Sequence, residues 1–116
     1  MKNGKPKFPV AEKSRRTVDN IVFDSLGEAK RYGILKLSQR AGLIANLELQ
    51  PEFHVEINGK PYCRYRADFS YLTIPDGVRV IEDVKSTGTS KDAAYRLRKK
   101  AAELSHGIKI TEVISK

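Results

Sequence analysis

The chain has 116 residues, enough for one domain with a single hydrophobic core and too few for two ordinary domains. It carries 22 Lys and Arg against 14 Asp and Glu, a formal net charge of +8 that favours nucleic acid as the partner. A single cysteine excludes an internal disulfide and a cysteine-built zinc site. The short apolar runs exclude a membrane span, so we expect a soluble, cytoplasmic protein.

The N-terminal segment, Met1 to Arg16, is rich in lysine and arginine and contains only one acid, Glu12. Its Gly and Pro residues and its charge predict a basic, weakly ordered arm, followed by a single domain over residues 17–116. Arg15 and Arg16 are the candidates for phosphate contact in this arm. A tail that is merely solvated is an equally good interpretation.

Apolar residues at three-to-four spacing predict a first helix from about Leu26 to Ala41. Its predicted apolar stripe contains Leu26, Ala29, Gly33 and Leu37, widened by Tyr32 and Leu35. Two alternating runs follow, Leu47 to Ile57 and Tyr62 to Tyr71, and Asn58-Gly59 between them is a hairpin signal. In the second run the odd-numbered residues from Cys63 to Tyr71 are predicted to share one apolar face. Asp68 is then on the polar face.

The segment from Val78 to Lys85 predicts a third, interior strand, because its apolar residues occur on both faces. A second helix is predicted from about Lys91 to Ser105, capped by Thr89 or Ser90, with an apolar stripe of Ala94, Leu97, Ala101 and Leu104. Ile108 to Ile114 is a short closing strand. The order helix, three-strand meander, helix, strand predicts an α+β or α/β fold with a mixed sheet.

Asp68, Asp83 and Lys85 form the pattern with the clearest chemistry. Neighbouring strands are about 4.8 Å apart, so carboxylates on two of them can reach one Mg²⁺, and a nearby lysine can orient water or neutralise a phosphate. The alternative is structural: Asp68 pairs with Arg64 or Arg66 at the surface, and Asp83 and Lys85 end a strand as an ordinary ion pair.

Four segments in order carry a resemblance to a known family. They are Val22-Phe23-Asp24-Ser25 with Glu28-Ala29 and Arg31-Tyr32, Leu49-Gln50-Pro51-Glu52-Phe53, Tyr65-Arg66-Ala67-Asp68-Phe69-Ser70-Tyr71, and Ile81-Glu82-Asp83-Val84-Lys85. Together they resemble the PD-(D/E)XK nuclease superfamily, and more closely its small phage-encoded endonucleases with kinship to Holliday-junction resolvases. The resemblance covers roughly Ile21 to His106. It implies a restriction-endonuclease-like core, Mg²⁺ or Mn²⁺ as the cofactor, and cleavage of DNA to a 5′-phosphate and a 3′-hydroxyl.

Carried over residue by residue, the resemblance implies that Asp68 bridges the metal, that Asp83 is the second acidic ligand and that Lys85 is the catalytic lysine. The proline that names the motif is absent, because Ala67 precedes Asp68. Glu82 is an alternative ligand to Asp83. The period of two places Asp83 on the side of Lys85, but a β-bulge would reverse this choice.

Two further residues match positions near the active site of this superfamily. Glu28, in the first helix, matches an additional acidic metal ligand, and Gln50 matches a glutamine often found close by. Ser25 and Glu28 also form a capping box, so Glu28 has a purely structural interpretation in which it caps its own helix. The two roles can alternate with metal occupancy.

The predicted second helix has a strongly basic face that directly follows the strand with Asp83. We expect this face to contact DNA phosphates, although a solvated helix face is the alternative. The candidate residues are Lys91, Arg96, Arg98, Lys99 and Lys100.

The sequence therefore predicts a metal-dependent DNA endonuclease, plausibly selective for branched or Holliday-junction DNA in phage or prophage DNA processing. Junction cleavage requires two active sites, so a homodimer is expected with such a substrate. The alternative from another class is a non-catalytic nucleic-acid-binding module with a nuclease-like fold. An RNA-processing nuclease is a third interpretation that differs only in the substrate.

Overall fold

The computed structural model describes residues 11–86 and 92–115. In chain order the elements are a 3₁₀ turn (Lys13–Arg16), β1 (Thr17–Val18), β2 (Ile21–Val22), α1 (Leu26–Arg40), β3 (Ile44–Leu49), β4 (Glu52–Ile57), β5 (Lys60–Arg66), β6 (Phe69–Thr73), β7 (Arg79–Lys85), α2 (Ala93–His106) and β8 (Ile110–Ile114).

The central sheet has four strands in the order β3-β6-β7-β8. β3, β6 and β7 pair antiparallel, whereas β7 and β8 pair parallel, because α2 carries the chain back across the sheet between them. The predicted α+β class with a mixed sheet is confirmed. β1 with β2 and β4 with β5 form separate two-stranded hairpins.

The predicted three-strand meander is wrong in detail, because each of its first two runs is broken into two strands that belong to different sheets. The break between β3 and β4 is at Gln50, whose φ is +51°, and the break between β5 and β6 is at Ala67 and Asp68. The two breaks are bonded together: Gln50 N–H donates to the Asp68 carbonyl at 2.9 Å, and Ala67 N–H donates to the Pro51 carbonyl at 3.0 Å. Residue alternation continues through both breaks, so the pattern alone does not reveal them.

Two hydrophobic cores lie on opposite faces of the central sheet. The core under α1 contains Phe23, Ala29, Tyr32, Leu35, Ile44, Phe69 and Tyr71. The core under α2 contains Phe53, Val55, Tyr65, Ala67, Ile81, Ala102 and Ile110, with Cys63 packed against it. The odd-numbered residues that were predicted to share one face are thus divided between two cores. The division occurs at Asp68, where the chain passes from one sheet to the other.

Helix α1 begins at Leu26, as predicted, after Ser25, whose Oγ accepts from the Glu28 amide. Its buried face is narrower than the predicted stripe, and Leu37 is 64% exposed. Gly27 allows a close approach to the sheet: a Cβ at this position would lie 3.1 Å from the side chain of Ser115 and 3.4 Å from that of Val84. This approach brings the first turn of α1, and with it Glu28, to the carboxyl end of β7.

Helix α2 begins at Ala93, where the Asp92 side chain accepts from the Ala94 and Tyr95 amides. The predicted start at Lys91 and the predicted caps Thr89 and Ser90 lie outside the described residues. Gly107, with φ of +63°, ends the helix in the left-handed conformation that glycine adopts without a Cβ clash.

Of the predicted apolar stripe of α2, Ala101 packs against the core, but the two leucines are wrong: Leu97 is 62% exposed and Leu104 is 73% exposed. The helix instead faces the core with Ala102, which is fully buried, and with Tyr95. On the same side of the helix the Tyr95 hydroxyl is hydrogen-bonded to carboxylates of β7 and β8. The buried side of α2 is therefore made of alanine and tyrosine and not of leucine.

The predicted basic arm lies partly outside the described residues, which exclude Met1 to Val10. Its last residues are folded, since Lys13–Arg16 form a 3₁₀ turn. Arg16 donates from Nε to the Ala11 carbonyl at 2.7 Å and from Nη1 to the Phe23 carbonyl at 2.6 Å, so it anchors this turn. Arg15 is exposed. Among the described helices, none has the length and apolar character needed to cross a membrane.

Candidate metal centre and nucleic-acid interface

Asp68 is at the junction of β5 and β6, where it is held by the backbone of β7. Its amide donates to the Glu82 carbonyl at 2.9 Å, and its Oδ2 accepts from the Val84 amide at 2.7 Å. Both contacts follow from the antiparallel pairing of β6 with β7, which begins one residue later at Phe69. The carboxylate is therefore fixed over β7 beside the residues predicted to act with it.

The buried carboxyl group of Glu28 meets the half-buried carboxyl group of Asp68. Burial, then the charge of Asp68 and a hydrogen bond with it, raise the pKa of Glu28 from its ordinary value of 4.5 to about 8. Burial also raises the pKa of Asp68, against the lowering effects of the Val84 amide, Glu28 and Lys85. Two carboxyl groups in contact cannot both ionise cheaply, so the pair retains a proton unless a cation replaces it.

The capping and site roles proposed for Glu28 are compatible in this geometry. Its amide donates to Ser25 Oγ at 3.1 Å, while its Oε2 is 3.3 Å from the same hydroxyl and the carboxyl group interacts with Asp68. Asp24 is a neighbouring acid that the sequence analysis did not single out. Its charge raises the pKa values of both Glu28 and Asp68.

Strand β7 places Asp83 on one face and Glu82 on the other, as the predicted period of two requires. Glu82 lies under α1, where Arg31 Nε and Nη2 donate to its two oxygens at 2.8 Å and 2.6 Å, and the Tyr71 hydroxyl donates to Oε2. Burial, with Glu82 next, raises the pKa of Tyr71 to about 12. Glu82 is thus committed to a buried ion pair, which argues against it as the alternative metal ligand.

Asp83 is buried and belongs to a polar network that reaches α2 and β8. The Tyr95 hydroxyl is 3.0 Å from both Asp83 Oδ2 and Glu112 Oε2, and Lys99 Nζ is 3.5 Å from Glu112 Oε2. Burial raises the pKa of Asp83, and Tyr95, Lys85, Lys99 and the Asp68 amide oppose it, in that order. Tyr95 is a site residue that sequence reasoning missed, because nothing in the helical pattern distinguishes it from a surface tyrosine.

Lys85 is on the same face of β7 as Asp83. Its Nζ is 3.9 Å from the centroid of the Tyr95 ring, a cation–π contact. Its positive charge lowers the pKa values of both Asp68 and Asp83, so it is near both carboxylates. Gln50 is adjacent through its backbone bond to Asp68, and its side chain is exposed.

The structure thus brings Glu28 to Asp68, and Lys85 to Asp68 and Asp83. It does not close all three acids around one point: among the described residues, no group of three or more His, Cys, Asp or Glu side chains is arranged to hold a metal. The donors available at Glu28 and Asp68 are carboxylate oxygens, which suit a hard cation such as Mg²⁺. A divalent ion between them would also remove their mutual repulsion, so the residues present fit a metal.

The predicted DNA contacts have three different outcomes. Arg96, Arg98 and Lys100 are exposed on α2, as a phosphate-binding face requires. Lys99 is different, since its side chain is 20% exposed and is paired with Glu112. Lys91 lies outside the described residues.

Arg64 and Arg66 on β5 were considered only as surface partners of Asp68. Within residues 11–86 and 92–115, no ion pair joins either arginine to Asp68, so that structural alternative is wrong. Both arginines instead line a pocket with Arg98 of α2. The sequence signal that could have indicated these two arginines is the alternation of polar residues along β5, which places them on one face of the strand.

Without added metal, we expect the free energy of unfolding to decrease as the pH rises from about 5 to about 8. The unfolded chain loses the Glu28 proton near pH 4.5, whereas the folded chain keeps it to about pH 8, so the folded state binds more protons in this interval. Asp68 and Asp83 act in the same direction. Urea denaturation in EDTA at several pH values measures the decrease. In Glu28→Gln the free energy of unfolding should fall less over the same pH range, by on the order of 2 kcal/mol.

Glu56→Gln is the matched control for this experiment, because Glu56 is an exposed carboxylate on β4. It should leave the pH dependence unchanged. A stability profile that is flat between pH 5 and pH 8 in the unmodified protein would contradict the buried carboxyl pair.

The family comparison covers most of the chain: residues 10–114 match the family described as "Protein of unknown function (DUF1064)". No curated protein and no solved structure matches the sequence significantly. The match includes every acid and lysine of the site described above. The chain belongs to the DUF1064 family.

Proposed function

We propose that this protein is a metal-dependent DNA endonuclease that uses Mg²⁺ or Mn²⁺. The observation that carries the proposal is the position of Asp68, which meets Glu28 from α1 and is fixed by its side chain to the backbone of β7 between Asp83 and Lys85. Glu28 and Asp68 thus meet from two separate elements, and Lys85 is close enough to lower the pKa values of both Asp68 and Asp83. The excess positive charge of the chain supports a polyanionic substrate.

Asp68 and Glu28 would hold the ion, with Asp83 as the further acidic ligand. The bound ion would act as a Lewis acid on the phosphate and lower the pKa of a coordinated water. Lys85 would orient the attacking water and balance negative charge on the phosphate. Water oxygen bonds to phosphorus as the bond to O3′ breaks, which leaves a 5′-phosphate and a 3′-hydroxyl.

The exposed arginines and lysine of α2 would hold the DNA backbone beside this centre. A branched or four-way-junction substrate is the finer proposal, since the sequence resembles phage endonucleases related to junction resolvases. Two cuts would then require two copies of the chain, and we propose a homodimer for that substrate. Phage or prophage DNA processing in a bacterial cytoplasm is the corresponding setting.

Incubation of the full chain with supercoiled plasmid and with a synthetic four-way junction, in Mg²⁺, in Mn²⁺ and in EDTA, tests the proposal. We expect cleavage that requires the metal and stops in EDTA. RNA duplexes in the same assay separate DNA from RNA as the substrate. A preparation that binds DNA but cuts none of these substrates with either metal would overturn the enzyme proposal.

One observation favours a second function, a nucleic-acid-binding module without catalysis. The Asp83 carboxylate is engaged by Tyr95, and the described residues contain no ready-made cluster of three metal-ligating side chains. A binding module would give metal-independent DNA affinity and no products in the assay above. That assay therefore decides between the two functions.

Tyr95→Phe should reduce cleavage by roughly 10-fold to 100-fold, the usual effect of removing a group that orients a metal ligand. The substitution keeps the ring under Lys85 and removes the hydroxyl that bonds to Asp83 and Glu112. Tyr62→Phe is the matched control, because Tyr62 is 56% exposed. Steady-state cleavage over a range of Mg²⁺ concentrations measures both variants. Equal rates in the two would show that the Tyr95 hydroxyl does not position Asp83.

A further inference from the structure

A pocket of about 350 Å³ lies between the β4–β5 hairpin and α2, next to the proposed metal centre. Its lining residues are Glu52, Arg64, Tyr65, Arg66, Tyr95 and Arg98. Three arginines against one glutamate leave an excess of positive charge. The volume exceeds that of a single phosphate and falls in the range of small-ligand sites.

The three arginines are uncommitted within the part of the chain that the structure describes. None of them is within 4.0 Å of a carboxylate oxygen, whereas Glu52 Oε1 is 3.5 Å from His54 Nε2, a contact that is an ion pair only when the imidazole is protonated. Three guanidinium groups against a single carboxylate in one pocket offer donors suited to phosphate oxygens.

Tyr65 gives an independent sign of a missing partner. The residue is 3% exposed, and among the described residues its hydroxyl is the one buried side-chain polar atom without a hydrogen-bond partner. Buried hydroxyls are nearly always bonded, and Tyr65 is one of the residues that line the basic pocket. The hydroxyl itself has almost no exposed surface, so a phosphate oxygen would accept a hydrogen bond from it only after a small shift of the pocket wall.

We propose that this pocket binds a phosphate group of the substrate strand other than the one that is cut. The pocket shares Tyr95 with the proposed centre, since Tyr95 is one of its lining residues and the Tyr95 hydroxyl contacts Asp83. The two phosphate positions would thus have this residue in common. The site would set the register of the strand by holding a neighbouring phosphate while the scissile one meets the metal.

The assignment of the phosphate to a cleaved strand rests on the proposed function, whereas the phosphate site itself does not. The first test therefore avoids catalysis and metal. Inorganic phosphate is titrated into the full chain in EDTA while the arginine Nε–H signals are followed by NMR, with chloride at equal ionic strength as the reference. We expect selective, saturable shifts at Arg64, Arg66 and Arg98. Shifts no larger than those in chloride would overturn the proposal.

Tyr65→Phe isolates the hydroxyl without removing the ring. Because the hydroxyl has no partner in the protein, the variant should melt at the same temperature as the parent chain or higher. Its affinity for phosphate should fall by roughly tenfold, since a hydrogen bond to a charged group is lost. An unchanged phosphate affinity would show that the hydroxyl does not contact the phosphate, and it would overturn the proposal.

Arg66→Ala and Arg64→Ala extend the test to DNA binding in EDTA. Log affinity decreases with log salt concentration, and each variant should make this decrease shallower by about one unit of slope, as the loss of one phosphate contact does. Arg40→Ala, which removes an exposed arginine at the end of α1 and outside the pocket lining, is the charge-matched control and should leave the slope unchanged. Pocket variants that behave like Arg40→Ala would overturn the proposal.

The source of the phosphate is distinguished by oligonucleotides with and without a 5′-phosphate. A preference for the phosphorylated end, lost in Arg66→Ala, assigns the pocket to a strand terminus, and equal binding that is still weakened by Arg66→Ala assigns it to an internal phosphate. Phosphate binding with no metal-dependent cleavage would refute the proposed nuclease but keep the site. Metal-dependent cleavage, together with pocket variants that bind phosphate and DNA as the control does, would keep the proposed nuclease and refute the phosphate site.

Discussion

Asp68→Asn should lower metal-dependent DNA cleavage by more than about 100-fold, because a lost ligand costs more than a lost orienting group. The substitution removes the charge that would bind the cation. It preserves the size of the side chain and an oxygen that can still accept from the Val84 amide, so the junction of β5 and β6 should stay folded. Cleavage rates at saturating Mg²⁺ and DNA affinity in EDTA measure the two effects separately.

DNA affinity in EDTA should stay within a few-fold of the parent protein or improve, since a negative charge has been removed. Glu56→Gln, which neutralises an exposed acid away from the site, should leave the cleavage rate unchanged. If Asp68→Asn retains cleavage within tenfold of the parent protein, Asp68 does not bind the metal. A large loss of DNA affinity with normal folding would instead make Asp68 a binding residue.

Arg31→Ala should destabilise the fold by about 3 kcal/mol, the lower end of the cost of leaving a buried charge unpaired. Glu82 is 2% exposed and receives two hydrogen bonds from Arg31, whose side chain is 24% exposed. Removal of the guanidinium leaves the carboxylate under α1 with the Tyr71 hydroxyl alone. Urea denaturation at neutral pH measures the loss, which corresponds to a decrease in melting temperature of roughly 10 °C.

Arg40→Ala is the matched control, since it removes an exposed arginine from the same helix and should change stability by less than about 0.5 kcal/mol. The double substitution Arg31→Met with Glu82→Leu should recover most of the lost stability, because well-packed apolar side chains often replace a buried ion pair without cost. A loss below about 1 kcal/mol in Arg31→Ala would show that water reaches Glu82 and replaces the arginine.

Short-range patterns predicted the parts of the fold that depend on local geometry. The start of α1 follows from Ser25 and Glu28, and the placement of Asp83 with Lys85 follows from the period of two along one strand. The fold class follows from the order of helices and strands. The first two of these features are decided within a few residues of the chain, and the third needs only the order of the elements.

Features that depend on tertiary contacts were not predictable in the same way. Alternation continues through Gln50 and Asp68, so the exchange between sheets is invisible until the two breaks are seen to bond to each other. Leu97 is an obvious core residue by spacing, yet α2 faces the core with Ala102 and Tyr95, so Leu97 is exposed. The pocket of Arg64 and Arg98 joins residues far apart in the chain, and no local pattern indicates it.

The hydrogen bond from the Val84 amide to Asp68 gives the protein a built-in spectroscopic reporter. An amide proton bonded to a carboxylate is strongly deshielded, and the deshielding weakens when that carboxylate takes up a proton or its charge is drawn to a cation. The Val84 amide nitrogen is 2.7 Å from Asp68 Oδ2, so the chemical shift of the Val84 cross-peak in an amide NMR spectrum should report the ionisation of Asp68. The measurement does not require an assay of activity. A single backbone signal can thus rank metals, pH values and ligands by their effect on this one oxygen.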